Sequence, residues 1–247
     1  MSTTDSTRVF VRHCADEEER CHQIANTYKL PLSYEVDESE FDYMLAIEDD
    51  VLKLRDLRNR KSRPIQMSVK PLTRISRKCL LGRAVGRKIK TVLDGTAGLG
   101  SDTLLLARMG YRVTAIERSP VFAALVCDGV DRINAVSPDM SIRSYFADTR
   151  EVLQQFHERF DAVYLDPMYP EGRKSSVKVA RPLTVMRKFC KDDDSDAEEL
   201  LGATISWARH RVIVKRPNYS QPLMPERLSM SMRGKLVRYD IYLTAGR

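Results

Sequence analysis

The residues Asp166-Pro167-Met168-Tyr169-Pro170 combine groups that could act on an amine attached to a flat ring. Such an amine is a poor nucleophile, because its lone pair is delocalised into the ring. A carboxylate such as that of Asp166 can accept its N–H bonds and direct the lone pair toward an electrophile. An aromatic ring such as that of Tyr169 can hold a base by stacking, worth about 1–3 kcal/mol. Prolines stiffen the loop, so we predict Asp166, Pro167 and Tyr169 as catalytic residues.

Residues 92–102 are predicted to form a strand, a glycine-rich turn and the start of a helix. Glycines let the backbone pass close to a ligand, and the helix start offers free N–H groups. The spacing is not the G-x-G-x-x-G of dinucleotide-binding proteins. It matches D-x-x-x-G-x-G, the first motif of Rossmann-like methyltransferases, which use S-adenosylmethionine (SAM). We predict that Gly95, Gly98 and Gly100 contact SAM and that Asp94 attracts its ammonium group.

Polar residues also end the next two predicted strands. Glu117 can accept hydrogen bonds from both hydroxyls of a ribose, and Arg118 beside it could lie near adenine. Asp148 and Thr149 could bond the adenine amino group. Ligands of open α/β sheets bind outside the carboxyl ends of the strands. Three polar positions in register on successive strands therefore predict one cofactor site.

From residue 71 onward, short apolar runs alternate with helical segments, which is typical of a parallel sheet covered on both faces. The predicted strands are 91–94, 112–117, 142–147, 162–166, 211–215 and 239–244. The predicted helices are 74–85, 102–109, 121–136, 149–158 and 197–208. The acidic run 191–196 is interpreted as capping the last of these helices. The predicted fold class is α/β, with a Rossmann-like class I SAM-dependent methyltransferase sheet over residues 71–247.

Residues 1–70 are predicted to form a small N-terminal module. The runs 41–47 and 51–57 flank Glu48-Asp49-Asp50 and predict a hairpin, and residues 65–69 predict a third strand. The pairs His13-Cys14 and Cys21-His22 fit no common zinc-ligand spacing. We therefore predict a surface helix there and no metal site.

The composition favours an anionic partner weakly. The 247-residue chain has 41 Lys and Arg against 34 Asp and Glu, a formal net charge of +7. No run approaches the roughly 18 apolar residues that span a bilayer, and the N-terminus lacks a signal-peptide core. We expect a cytoplasmic protein that has no membrane partner and keeps its cysteines reduced.

Several short motifs together resemble the RsmJ (YhiQ) family of bacterial 16S ribosomal RNA guanine-N2 methyltransferases. They are residues 94–102, Glu117-Arg118, residues 165–170, Lys174-Ser175, Val214-Lys215-Arg216-Pro217-x-Tyr219 and Tyr239-Asp240-Ile241-Tyr242. Residues 166–169 also resemble the (Asp/Asn)-Pro-Pro-(Tyr/Phe) motif of amino-methyltransferases, with Met168 in place of the second proline. The resemblance implies SAM contacts at Ser101, Asp102, Glu117, Arg118, Asp148, Thr149 and Asp166. It also implies a basic helix after the catalytic loop, which Pro182 is expected to interrupt.

Clustered cations predict where RNA would be held. Arg173, Lys174 and Lys178 follow the catalytic loop, and Lys215 and Arg216 end the fifth strand on the cofactor edge. We predict these five residues as phosphate contacts. A further basic group occupies residues 70–90. The implied partner is 16S ribosomal RNA or the small ribosomal subunit, and the N-terminal module is a candidate for helping to hold it.

Two other functions stay open. A DNA adenine-N6 or cytosine-N4 methyltransferase would use the same loop chemistry, although no target-recognition segment is evident. A non-enzymatic RNA-binding protein with a vestigial SAM fold is the second alternative, against which Asp166 and Tyr169 argue.

Overall fold

The computed structural model describes residues 8–33, 37–156, 159–168, 181–189 and 194–244, and its strands form two sheets. A four-stranded sheet belongs to the N-terminal segment, and a seven-stranded sheet belongs to the remainder. None of the described helices has the length and apolar character needed to cross a bilayer.

The N-terminal sheet is built around a hairpin. Its elements are β1 (Val9–Arg12), α1 (Glu18–Tyr28), β2 (Leu32–Ser33), β3 (Tyr43–Glu48) and β4 (Val51–Asp56). The strand order is β2-β1-β3-β4, and only the β3–β4 pair is antiparallel. The predicted hairpin is confirmed, with Asp49 and Asp50 at its turn. The predicted strand 65–69 is wrong, because within it only Ile65 pairs with Leu54 in an isolated bridge.

The helix predicted near the first cysteines is confirmed as α1, but Cys21 does not lie on its surface. Cys21 is fully buried, and its thiol donates to the carbonyl oxygen of Arg12 at 3.4 Å. It packs in one cluster with Ile24 and Tyr28 of the same helix and with residues of the hairpin. The thiol therefore belongs to the core of the module.

The Rossmann-like α/β sheet predicted from the sequence is confirmed. Its elements are α2 (Leu80–Val85), β5 (Thr91–Asp94), α3 (Ser101–Arg108), β6 (Arg112–Glu117), α4 (Pro120–Val136), β7 (Ile142–Phe146), α5 (Thr149–Val152), β8 (Phe160–Leu165), α6 (Arg181–Phe189), α7 (Asp194–Ile205), β9 (Ala208–Pro217), β10 (Met230–Arg233) and β11 (Val237–Leu243). The strand order is β10-β11-β9-β8-β5-β6-β7. Strands β5 to β9 are mutually parallel, while β11 lies antiparallel between β9 and β10.

The strand order reverses direction between β5 and β8. The chain moves outward from β5 through β6 to β7 and then returns to the other side of β5. Such a switch point opens a crevice at the carboxyl ends of the strands, where ligands of these sheets bind. The predicted cofactor residues lie at the ends of strands on this edge or in the segments that follow them.

Some predicted boundaries differ from the observed ones. Helix α2 begins at Leu80 and not at residue 74, because Arg74 and Arg77 extend their guanidinium groups to carbonyl oxygens near the end of α3. Strand β10 was not predicted. Pro182 lies within α6, which covers Arg181–Phe189. Because residues 169–180 lie outside the described residues, the expected interruption of a basic helix after the catalytic loop stays a prediction.

The N-terminal module packs directly on the larger sheet's helices. Phe122 in α4 and Phe189 in α6 meet edge to face with ring centroids 5.4 Å apart, and Phe189 lies 5.3 Å from the ring of Tyr43 in β3. Val121 and Leu125 join the same buried cluster. Helices α4 and α6 therefore tie the module to the carboxyl edge of the large sheet.

Gly129 in α4 lets the chain at Met67 lie against the helix. A Cβ atom on Gly129 would stand 2.6 Å from the Cβ and Cγ of Met67, which is fully buried. We predict that Gly129→Ala lowers the free energy of unfolding by about 1–3 kcal/mol, the usual cost of overpacking.

The matched control is Gly202→Ala in α7, where a new Cβ would meet only the methyl of Met224 at 3.5 Å. That variant should gain up to about 1 kcal/mol from helix propensity. Urea unfolding of both variants tests the packing, and equal stabilisation by the two substitutions would contradict it.

Candidate functional site

A pocket opens at the switch point of the large sheet. It is lined by Gly95, Thr96, Gly98, Glu117, Arg118, Asp148, Thr149, Arg150, Asp166, Pro167, Met168, Met186, Asp196 and Leu200. The lining comes from the ends of β5, β6, β7 and β8 and from helices α6 and α7.

The glycine-rich turn forms one wall of this pocket. Gly98 and Gly100 have φ angles of 55° and 72°, in the left-handed region that side chains disfavour. A Cβ on Gly95 would approach the side chain of Leu165 to 2.8 Å, so the turn fits closely against the end of β8. The motif therefore uses its glycines for backbone conformation at two positions and for close packing at a third.

Asp94 lies beneath the turn and does not line the pocket. Its carboxylate is 1% exposed and accepts hydrogen bonds from the hydroxyl of Thr103 at 2.6 Å and the amide of Thr96 at 3.3 Å. The pKa of Asp94 is raised to about 7, mainly by burial and also by the charges of Asp102 and Asp166, while the hydrogen bonds from Thr103 and Thr96 act in the opposite direction. This placement favours a role in shaping the turn over the predicted contact with an ammonium group.

Glu117 is positioned by two backbone amides. Its Oε2 accepts from the N–H of Gly98 and its Oε1 accepts from the N–H of Ser119, both at 2.7 Å. The first bond ties the end of β6 to the glycine turn of β5. The carboxylate is 7% exposed and lies on the pocket wall, where its orientation is determined before any ligand binds.

An ion-pair network closes the side of the pocket beyond Glu117. Arg118 donates to both oxygens of Asp196 at 3.1 and 2.9 Å, and Arg150 donates to Asp196 at 2.9 Å and to Asp148 at 2.6 Å. Asp148 also caps α5 by accepting from the backbone N–H of Arg150. Its pKa is lowered because Arg150 hydrogen-bonds its ionised form. Asp148 therefore stays charged beside the pocket.

Thr149 and Thr96 connect the pocket walls. The buried Thr149 hydroxyl donates to the carbonyl oxygen of Gly95 at 2.8 Å. The Thr96 hydroxyl accepts from the backbone N–H of Asp166 at 2.6 Å. The glycine turn is thereby bonded to the ends of both β7 and β8.

Lys215 lies between two carboxylates at the end of β9. Its ammonium donates to Oδ2 of Asp166 at 2.8 Å and to Oδ2 of Asp102 at 2.9 Å. The fully buried Tyr164 donates its hydroxyl to the same Asp102 oxygen at 2.6 Å. Desolvation alone would lower the pKa of Lys215, but the two carboxylates outweigh it and raise the pKa well above its ordinary value.

Lys215 and Arg216, the two cations on β9 that we predicted to hold RNA, pair with different carboxylates. Lys215 points to the Asp166 carboxylate, and its side chain is 24% exposed. Arg216 is 2% exposed and pairs with Asp194 at 2.8 Å, so its guanidinium packs against the start of α7. Neither placement presents the cation as a surface phosphate contact. Tyr169, Arg173, Lys174 and Lys178 lie outside the described residues.

Most of the predicted cofactor residues come together. Gly95, Gly98, Glu117, Arg118, Asp148, Thr149 and Asp166 all line the pocket. Ser101 is exposed at the start of α3, and Asp102 faces Lys215. Gly100 is the N-cap residue before α3 and shapes the turn without lining the pocket.

Six pocket residues were not predicted as site residues, namely Thr96, Arg150, Met168, Met186, Asp196 and Leu200. Thr96 lies inside the glycine motif, and Arg150 lies one residue beyond the predicted pair Asp148 and Thr149. Asp196 belongs to the acidic run that we interpreted as a helix cap, so that interpretation was incomplete. Met186 comes from α6, and no local sequence signal places that helix over the glycine turn.

The lining suits the chemistry of SAM, which joins a nucleoside to a cationic sulfonium and an amino acid. Glu117 and Asp148 offer oriented carboxylates, which suit ribose hydroxyls and an adenine amino group. The backbone between Gly95 and Gly98 is open to close approach by a ligand. The charges of Glu117, Asp148 and Asp166 also favour a cationic group nearby.

The chain is similar to known methyltransferases in sequence and structure. Residues 23–244 match a family model described as "Putative SAM-dependent methyltransferase". The "Ribosomal RNA small subunit methyltransferase J" of Coxiella burnetii is 34% identical over 233 residues, covering 90% of this chain and 91% of the relative. The protein of the same name from Thioalkalivibrio sulfidiphilus is 36% identical over 256 residues, covering 96% and 98%. A crystal structure of a SAM-dependent methyltransferase from Neisseria gonorrhoeae matches with a TM-score of 0.72 and 26% identity over 97% of each chain.

We predict that Asp94→Asn changes how stability depends on pH. The folded-state pKa of about 7 lies above the value of about 3.9 for an unfolded aspartate, so protonated Asp94 stabilises the fold. This contribution is complete below about pH 4 and is lost as the pH rises through about 7. Asparagine keeps an acceptor for Thr103 without the charge. Relative to the variant, the wild type should therefore lose a few kcal/mol across this window, at about 1.4 kcal/mol per pKa unit.

Urea unfolding at a series of pH values measures the difference. Asp161→Asn is the control, because backbone amides of Lys90 and Thr91 outweigh burial and lower the pKa of Asp161. Its contribution should change only below about pH 4. Parallel wild-type and Asp94→Asn profiles between about pH 4 and 8 would show that Asp94 does not titrate there.

Proposed function

We propose that this chain, which belongs to the ribosomal RNA small subunit methyltransferase J family of SAM-dependent methyltransferases, methylates the exocyclic N2 amine of a guanine in 16S ribosomal RNA. Family membership confirms the predicted class I fold and the predicted methyl donor, SAM. The relatives are named for small-subunit ribosomal RNA, and we extend that substrate to this chain. Because ribosomal RNA is the proposed substrate, the cytoplasm remains the expected compartment.

The position of Asp166 is the observation that carries this proposal. Its carboxylate lies at the carboxyl end of β8, on the wall of the pocket, and its backbone N–H is bonded to Thr96 of the glycine turn. A base amine that approaches Asp166 is therefore brought to the mouth of the proposed donor site. Pro167 restricts the backbone next to Asp166, which helps to hold the Asp166 carboxylate in place before the substrate binds.

The residues around the pocket have separate proposed roles in holding SAM. When bound, SAM supplies an electrophilic methyl group on a sulfonium. Glu117 would accept hydrogen bonds from the ribose hydroxyls, and Asp148 with Thr149 would hold the adenine side. Arg118 and Arg150 keep the Asp148 carboxylate oriented through their ion pairs.

Asp166 would act directly on the target amine. By accepting N–H bonds, its carboxylate favours a pyramidal nitrogen whose lone pair points at the methyl group. The interaction strengthens as positive charge develops on the nitrogen, so it stabilises the transition state more than the bound substrate. The methylated amine then loses a proton readily, and Asp166 or solvent can accept it.

Lys215 is a positioning residue in this proposal. Its ammonium holds Oδ2 of Asp166 and bridges to Asp102, which Tyr164 anchors from the core. A carboxylate held through one oxygen loses rotational freedom, and a nearby cation favours its ionised form. Lys215 thereby keeps Asp166 charged and oriented for accepting N–H bonds.

We predict that RNA carrying inosine at the target position is bound but not methylated. Inosine lacks the 2-amino group, so the proposed nucleophile is missing while the phosphate backbone is intact.

Asp166→Ala should reduce kcat by about 10²–10³-fold, the scale for removing one preorganised group, with little change in RNA affinity. Asp166→Asn should keep part of the activity, because its amide oxygen still accepts one bond.

Methyl transfer from labelled SAM, with mass analysis of the modified nucleosides, measures this outcome. Asp161→Asn is the matched control, because it changes an aspartate in β8 at the end away from the pocket. N2-methylguanosine is the expected product. Methylation of the inosine RNA would contradict the N2 assignment, and methylated adenine or cytosine in DNA would support the alternative amino-methyltransferase.

We predict that Lys215→Met lowers kcat by about 10²-fold while the KM for RNA changes little. Without the ammonium, two neighbouring carboxylates repel each other, so the acid limb of the rate profile should move to higher pH. Lys215→Arg keeps the charge and should restore much of the acid limb. Steady-state kinetics across a pH series measures both effects.

Lys235→Met serves as the control, because Lys235 is exposed in the turn between β10 and β11. A phosphate contact at Lys215 would behave differently, raising KM and reducing the salt dependence of RNA binding by about one unit of slope. That pattern, with an unchanged acid limb, would refute the positioning role.

A further inference from the structure

A strongly basic loop follows strand β4 in the N-terminal module. The loop, Arg58-Asn59-Arg60-Lys61-Ser62-Arg63, is rich in cations and has no carboxylate. All four of its cationic residues are exposed. Both Arg58 and Asn59 donate their backbone N–H to Oδ1 of Asp56 at 3.1 Å, and Ser62 donates to the carbonyl oxygen of Asn59 at 2.9 Å. The cations are therefore carried on a hydrogen-bonded turn.

A continuous line of contacts connects this loop to the catalytic pocket. Met186 of α6 lines the pocket, and its methyl lies 2.6 Å from where a Cβ on Gly98 would stand. One turn later, Phe189 packs on Tyr43, which pairs with Asp56 at the end of β4. Helix rise and strand spacing together place the start of the loop about 15 Å from Met186. The basic loop thus lies near the pocket on the same edge of the molecule.

The hairpin carries opposite charges at its two ends. Its turn contains Asp49 and Asp50, whose side chains are 92% and 87% exposed. Strands of six residues separate this acidic turn from the basic loop by about 20 Å. The far end therefore holds exposed carboxylates, which pair with Lys53 and Arg20. The end near the pocket holds the four cations of the loop, of which Arg58 pairs with Asp42.

Another basic group, Arg87, Lys88 and Lys90, lies on the opposite edge of the large sheet. These residues are exposed and precede β5, at the amino ends of the parallel strands. A polyanion whose base occupies the pocket would extend over the carboxyl edge. It would meet the basic loop and not this second group.

We propose that the basic loop binds the phosphate backbone of the RNA that flanks the target nucleotide. The proposal rests on the proposed function, because it takes RNA as the substrate. Exposed Arg and Lys side chains neutralise phosphates and release counterions, which gives affinity without base specificity. The N-terminal module thereby holds the RNA while the pocket selects the reacting amine.

The test compares two triple variants that remove the same charge. Arg60→Gln/Lys61→Gln/Arg63→Gln changes the basic loop, and Arg87→Gln/Lys88→Gln/Lys90→Gln changes the opposite edge. Binding of in vitro transcribed 16S ribosomal RNA is measured at several salt concentrations. For the loop variant, the slope of log K against log salt should fall by about two to three units, and affinity near 0.1 M salt by at least about 10-fold. The control should change affinity by less than about 3-fold.

The binding readout is independent of the methylated product, so the loop and the guanine-N2 assignment can fail separately. At saturating RNA, the loop variant should keep the wild-type kcat, since no reacting group is touched. Equal RNA affinity for the two triple variants would overturn the proposal. Unchanged RNA affinity with lost binding to small ribosomal subunits would also overturn it and indicate an acidic protein partner. If the triple variant does not fold, Lys61→Gln alone should still reduce the slope by about one unit.

Discussion

One ammonium group between two carboxylates organises the catalytic edge. Lys215 on β9 joins Asp166 at the end of β8 to Asp102 at the start of α3, and Tyr164 fixes Asp102 from the core. Removing the ammonium would leave two partly buried carboxylates without their cation, and removing the carboxylates would leave a partly buried ammonium without an anion. Both changes are strongly unfavourable. Because the three groups come from separate elements, their pairing requires the ends of β8, β9 and α3 to be in register. The same register places Asp166 beside the glycine turn.

The glycine turn is held from below and from both sides by groups that are themselves buried. Asp94 accepts bonds under the turn, Glu117 accepts the amide of Gly98, and Thr149 donates to Gly95. The pocket walls are therefore bonded to one another before a ligand arrives. Such preorganisation reduces the entropy cost of aligning a donor with an acceptor.

The packing of the N-terminal module joins substrate positioning to the site. The aromatic contacts from Tyr43 through Phe189 to Phe122 link the hairpin to α6 and α4, and Met186 of α6 also lines the pocket. A surface that binds RNA at the end of the hairpin would therefore be held at a constant distance from the reacting amine. Because the cations lie at the end of the hairpin near the pocket and the acidic turn lies at the far end, an RNA bound to the hairpin would lie on the side of the pocket.

The sequence by itself determined the parallel α/β core, the hairpin and most of the pocket. Those features depend on local signals, namely hydrophobic period, glycine spacing and polar residues at strand ends. It predicted Lys215 and Arg216 as phosphate contacts and did not indicate that they pair with Asp166 and Asp194, because these partners are distant in the chain. From the sequence, we also interpreted the acidic run 191–196 only as a helix cap, although Asp196 pairs with Arg118 and Arg150. Only the tertiary structure decided these roles, since the partner of a charge depends on which strand ends meet, and that is a long-range property of the fold.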